Sequence, residues 1–532
     1  MDDSIYKKKI QHLAKCLDSY DHISVLEAWL GNLISERDQK DVDLFKRLPW
    51  LQFFLLKLAL LGKSGPIKMS RDRFIRYANE LYSMQIDAVR GLESDKVDLL
   101  LRPMIVQQIW YQQKHEQILI TLFRQRLFFL SANSWYPEQF LKHAGITLGN
   151  FYVISIYLLV SSRDHKLTAL DINLYDLLFH LAPQISFNEV IRYFLLMGVR
   201  TADLSKYINH HKLCDIYESE YFQDTPLKER PIIINGESLI IPDLHMFNAA
   251  IKDFAPNYLK KIPGYKEQFG PDFEQYLKEV LLESKLDFWD EKDRIASFYK
   301  KYGIKGKVVD FLIPGGNSVV LVESKAIEPN AVVKTSSDAD QLKKMLSGSY
   351  IKAIKQGVHA ASALGQTPEF SGKKFSLLVV THEDFGIFGG RWVTQYIDKD
   401  IPGWIKTNYP DSPLSLDDIF YCTVDNFETL TRGHSNGVCD LFSVINEAST
   451  KDETVLNKKL VFGQVISSAI DGAIGLHPAL KKEMDGYLSF TSKLFQQNHA
   501  WWGGNVGRLI NTRKKIVDIL NGIEWSAIER EQ

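Results

Sequence analysis

The chain has 532 residues, 45% hydrophobic and 24% charged, with a formal net charge of −1. That length leaves room for several domains at ~100–200 residues each, and the composition excludes a disordered or collagen-like chain. So even a charge balance also excludes a uniformly basic nucleic-acid binder, so any such surface must be a local basic patch offset by acids elsewhere.

Cys16, Cys214, Cys422 and Cys439 are scattered without a CxxC pair, which fits a reducing cytoplasm and no disulfide framework. Cys422, His434 and Cys439 hold zinc-type donors, but their spacing matches no finger and a fourth ligand is missing. The opening MDDSIYKKKIQHLAKC has no apolar run of the secretory kind.

Residues 1–215 read as a helical recognition or regulatory domain. Apolar residues recur at three- and four-residue steps over 23–34, 49–61, 71–84, 104–130 and 189–196, without the fixed period of a solenoid. Trp110, Tyr111, Arg124, Arg126 and Trp135 belong by default to its core, with base stacking as the competing use. Residues 144–162 carry no Asp, Glu, Lys or Arg before the end, but their strongly apolar part, 151–160, is half a membrane span. A buried core helix is expected there, and no membrane association. Residues 216–262 form a connecting segment in which Asn235-Gly236, between two apolar runs, predicts an isolated β-ribbon.

The segment 263–435 reads as an α/β core with a mixed sheet. Gly270-Pro271-Asp272-Phe273-Glu274 predicts a helix start, with proline and acids in the first turn. Phe273, Leu277, Val280 and Leu281 form its core stripe, and Glu274, at the edge of that stripe, is better placed than Glu279 or Glu283 to face a sheet, with a solvated helix-start glutamate as the alternative. Two β-branched runs, 308–313 and 319–322, then flank Pro314-Gly315-Gly316-Asn317, a hairpin signal. A two-residue loop at Gly316-Asn317 places Asp310 opposite Glu323, and a four-residue loop leaves them diagonal on one face. Side chains alternate along a strand, so Lys325 shares that face. Two acids about 5 Å apart repel each other, and a divalent cation or an internal ion pair with Lys325 must compensate.

Val309-Asp310 followed by Glu323-Ser324-Lys325 resembles the signature of the PD-(D/E)XK nuclease superfamily, with valine where the family name has proline. The likeness covers residues 265–385 and implies a restriction-endonuclease-like fold. It further implies Mg²⁺ or Mn²⁺ held by Asp310, Glu323, the main-chain carbonyl of Ser324 and Glu274, with Lys325 orienting the attacking water. The implied reaction is phosphodiester hydrolysis in nucleic acid, above all DNA. Such a nuclease fused to a large helical domain is similar to proteins of restriction and anti-phage defence. An inactive binding module on the same fold and an RNA nuclease remain the rival expectations.

Beyond the hairpin, helices are expected over 339–346 and 350–364. Ile351, Ile354, Val358 and Ala361 make the buried stripe of the second, with Lys352, Lys355, Gln356 and His359 opposite. The resemblance implies Gln356 beside the active site, and a solvated polar face is the alternative. Lys343, Lys344, Lys352 and Lys355 are the expected phosphate contacts, with Lys373 and Lys374 adding local charge. Residues 375–381 read as a buried strand, and His382 and Glu383 at its end are weaker site residues. Residues 392–404 read as a helix or lid and 419–424 as a strand, with Asp425 capping the next helix.

Residues 436–532 return to a helical composition. GGNVGR at 503–508 lacks the GxxxxGK[ST] pattern, so ATP-driven translocation would need a partner motor protein. The sequence leaves a homo-oligomer open.

Overall fold

The computed structural model describes residues 5–34, 48–88, 97–163, 165–326, 331–449, 459–470 and 474–526. The architecture is α+β, with mostly helical elements and two mixed sheets. The chain divides into two units, Met1–Leu92 with Gln107–Ile262 and Lys482–Gln532, and Glu93–Val106 with Pro263–Lys481. Residues 93–106 thus group with the second unit, while 216–262 and 482–532 group with the first.

In the first unit, local chemistry sets the helix starts. Asp21 accepts from the Ser24 N–H to open His22–Leu33, and Thr147 accepts from Asn150 to open Leu148–Ser161. Proline occupies the first turn of Pro49–Leu61, whose residues 51–60 are all buried. The long helix expected over 104–130 is broken at Gln113 and Lys114, where an extended turn separates Trp110–Gln112 from His115–Arg126. Residues 151–156 are all buried, as expected of a core helix. No single described helix is long and apolar enough to cross a membrane; Trp135–Ala144 with Leu148–Ser161 reaches that length only as a pair bent by 77°.

The β-ribbon is not isolated. Strands β1 (Leu170–Asp171), β2 (Gly198–Arg200), β3 (Ile232–Asn235) and β4 (Ser238–Ile241) form one sheet in the order β1-β4-β3-β2. Its central hairpin matches the expected one, turning through Gly236, whose φ of 58° lies in the left-handed region. The flanking strands are too short for alternation to reveal them.

The second unit is built on a five-stranded sheet, β5 (Trp289–Asp290), β6 (Phe311–Pro314), β7 (Ser318–Lys325), β8 (Lys374–Thr381) and β9 (Leu414–Thr423), in that order. Strands β5, β6 and β7 pair antiparallel, while β7, β8 and β9 run parallel. The parallel strands are near-continuous apolar runs because both faces are covered. The helices Ala339–Leu346 and Lys352–Gly365 lie where the periodicity put them, the second with Ile354, Val358 and Ala361 buried and preceded by a buried Ile351.

Three local expectations change. The helix carrying Glu274 runs over Tyr265–Glu283 with Pro271 inside it, so Gly270-Pro271 does not start it. Residues 392–404 split between the helices Gly390–Tyr396 and Ile401–Asn408. Thr423, not Asp425, caps Val424–Ser435, accepting from Asn426.

A candidate active site at the β6–β7 hairpin

The hairpin register is the one expected from its turn. The Gly315 N–H donates to the Ser318 carbonyl at 2.8 Å, and Phe311 pairs with Val322, which sets Asp310 against Glu323 one step further out. The first strand is shorter than expected, starting at Phe311 instead of 308. The Asp310 carboxylate explains why: it accepts from both the Ser324 N–H and the Ser324 hydroxyl at 2.6 Å, so a side chain takes the donor that a longer ladder would use. The N–H and C=O of one residue point to the same side of a strand, so the Ser324 carbonyl also faces Asp310.

Glu323 is only 2% exposed. Its Oε1 accepts from Lys325 Nζ, and its Oε2 is buried without a hydrogen-bond partner. Burial pushes this carboxyl up to about 7, and the neighbouring Asp310 charge adds to the rise that Lys325 opposes. Burial also raises the Asp310 carboxyl against the two bonds from Ser324, with Glu274 contributing. Lys325 reaches on to Gln356 Oε1 at 3.4 Å, so Gln356 stands beside the Glu323–Lys325 pair. The internal Glu323–Lys325 pair therefore exists, but it leaves one buried oxygen uncompensated.

Glu274 lies close enough to act on the Asp310 carboxyl and is bound to Lys292 at 3.0 Å. Sequence reasoning missed Glu291. It follows the two-residue β5, its N–H donates to the Asp310 carbonyl at 2.9 Å, and burial followed by the charges of Asp310 and Glu274 raises its carboxyl. A strand of two residues shows no alternation, so nothing in the sequence set Glu291 apart. Glu274, Glu291, Asp310 and Glu323 thus form one acidic neighbourhood with Lys292 and Lys325 as its cations.

Among the described residues no three His, Cys, Asp or Glu side chains form a ready metal cage. The donor chemistry nevertheless fits a hard cation, which takes one or two carboxylates and fills its other positions with water and phosphate oxygens. The orphaned Glu323 Oε2 and the raised acids mark an unmet demand for positive charge here.

The remaining predicted residues divide. Lys343, Lys352 and Lys355 line one groove together with Gln356, whereas Lys344 is exposed outside that lining. Lys373 donates to the Gly315 carbonyl and Lys374 pairs with Asp418 at 2.9 Å, so both brace the sheet. His382 packs edge-on against Phe269, and Glu383 pairs with Lys334 at 2.7 Å. His434 accepts from the Leu441 N–H, and burial pushes the Cys422 thiol up, which describes a helix end and a core cysteine. Comparison with family models, curated proteins and solved structures finds no match.

Proposed function

We propose that the chain is a divalent-cation-dependent phosphodiesterase that hydrolyses nucleic acid, with DNA as the leading substrate, on a core of the PD-(D/E)XK type. The observation that carries this reading is the buried Glu323 carboxyl with a partnerless oxygen, set beside Asp310 and Lys325 at the ends of paired strands. The succession of helix, antiparallel hairpin, helix and parallel strand supports the same core.

Asp310, Glu323 and the Ser324 carbonyl would hold Mg²⁺ or Mn²⁺, with Glu274 or Glu291 acting through water. The cation supplies Lewis-acid polarisation of the phosphate and acidifies water. Ser324 fixes the Asp310 carboxylate through two donors, so that it need not reorganise during the reaction. Burial holds the Glu323 carboxyl near neutrality, and a cation held at its partnerless Oε2 would favour the ionised form. Lys325 orients the attacking water and meets the charge growing on the phosphate oxygens, while Gln356 steadies its ammonium group. In-line attack on phosphorus breaks the bond to the 3′ oxygen, leaving a 3′ hydroxyl and a 5′ phosphate.

The test is to incubate the purified protein with plasmid, linear duplex, single-stranded DNA and RNA, each with Mg²⁺, Mn²⁺ or EDTA. Cleavage in Mg²⁺ that EDTA stops, and that Asp310→Ala and Lys325→Ala each lose, is the expected result. Full activity in either variant overturns the site, and cleavage that survives EDTA overturns the cation. The Glu323–Lys325 pair favours one other reading, a closed binding module without catalysis; it predicts no cleavage under any condition and no cation binding sensitive to Asp310→Asn.

A further inference from the structure

The second unit also has an open groove, lined in part by Gln356, of about 620 Å³, within the ~300–1,000 Å³ of small-molecule sites. Its floor is the polar face of Lys352–Gly365, where Lys352, Lys355, Gln356 and His359 follow each other at helical spacing. Lys343, also in its lining, is neutralised by Asp398 at 2.8 Å and Asp400 at 2.9 Å. Lys307, Lys352 and Lys355 have no ion-pair partner among the described residues, so the groove carries an unspent positive charge.

The wall is aromatic. Trp404 and Tyr409 stand 5.4 Å apart between ring centres, and Lys355 Nζ lies over the Trp404 ring at 5.2 Å. This wall is built in advance. One ring nitrogen of His359 bonds the Tyr409 hydroxyl at 2.9 Å and the other the Lys305 carbonyl at 3.2 Å. Gly306, with φ of 115°, lets the backbone close onto that imidazole, whose Nε2 lies 2.1 Å from where a Cβ would stand.

Three cations and a half-buried indole, in a groove that the Lys325 contact Gln356 also lines, suit a phosphate with a base attached. We propose that the groove is a subsite for an unpaired nucleotide of the substrate strand, its base stacked on Trp404 and its backbone phosphate held by Lys352 and Lys355. A paired base keeps its faces inside the duplex stack and cannot offer one to Trp404. The subsite rests on the nuclease reading and narrows it to strands that are single, frayed or flipped beside the cleaved bond.

Fluorescence anisotropy of the full chain in EDTA, where no cleavage is expected, tests it with a labelled single strand and the matching blunt duplex. Trp404→Ala should weaken single-strand binding about tenfold and leave duplex binding unchanged, and Trp404→Phe should restore most of the loss. Lys352→Ala and Lys355→Ala should each flatten the salt dependence of single-strand binding by about 0.7 in log–log slope. Equal single-strand affinity in Trp404→Ala, or an equal loss with duplex, overturns the subsite. So does adenosine monophosphate that displaces the strand when present at equal concentration, since the groove would then serve a free nucleotide. Because binding is read without turnover, cleavage that persists in Asp310→Ala sinks the catalytic reading and leaves the stacking result standing.

Discussion

Glu323 carries the cost of the site. Its carboxyl titrates at about 7 in the folded chain against 4.5 for an ordinary glutamate, so between those values the native state binds the extra proton. Stability from this group is therefore complete below pH 4.5 and is lost as the pH rises through 7. The shift of about 2.5 corresponds to on the order of 3 kcal/mol, and Asp310 and Glu291, also raised, pull in the same direction. Glu323→Gln mimics the protonated form. It should melt several degrees above the wild type at pH 8 and nearly with it at pH 4.5, by thermal denaturation at both values. A pH-independent difference between the two would show that burial does not control this acid. Mg²⁺ should raise the wild-type melting temperature at pH 8 and do little to Glu323→Gln, because only a ligand with differential affinity for the native state stabilises it.

Among the elements, the helix Lys352–Gly365 sets the geometry around Lys325. Gly357 lets it approach β8: a Cβ there would stand 2.5 Å from a Leu377 methyl group in a fully buried contact. Overpacking such a contact costs ~1–3 kcal/mol, more than the ~1 kcal/mol that alanine gains over glycine within a helix. Gly357→Ala should thus lower stability by about 1 kcal/mol and lift the adjacent Gln356 away from Lys325. The expected readout is a lower kcat with little change in single-strand affinity. Unchanged kcat and melting temperature would mean that Leu377 moves aside freely. The same helix shows which elements the sequence exposes. Ile354, Val358 and Ala361, with Ile351 just before them, announced its buried stripe at helical spacing, while Glu291 stayed hidden because β5 offers two residues and no pattern. Gly270-Pro271 misled because the helix already begins at Tyr265 and carries the proline inside it.

For the molecule as a whole, the second unit recruits residues from far up the chain. Arg102 is buried and donates to the carbonyls of Phe385 at 2.7 Å, Ser336 at 3.0 Å and Val333. Burial lowers its guanidinium to about 10, the cost of a cation held by carbonyls with no carboxylate bonded to it among the described residues. Leu99 from the same segment enters the core of this unit. Arg102→Met should destabilise the unit by about 3 kcal/mol, because three buried acceptors lose their donor. A fragment of residues 263–481 should melt without a sharp transition, and a cooperative melt at the full-chain temperature would show that the 93–106 segment is dispensable.

The sequence by itself determined what local chemistry can write. The turn residues set the β6–β7 register, and helical spacing set the face that bears Gln356. Tertiary structure alone decided the pairing of Lys343 with Asp398 and Asp400, the nearness of Glu291 to Asp310, and the place of Arg102. Those contacts join residues tens to hundreds of positions apart, or sit on strands too short to show a period. Burial, which turns Glu323 from an ordinary acid into one poised near neutrality, is likewise a property of the packed core.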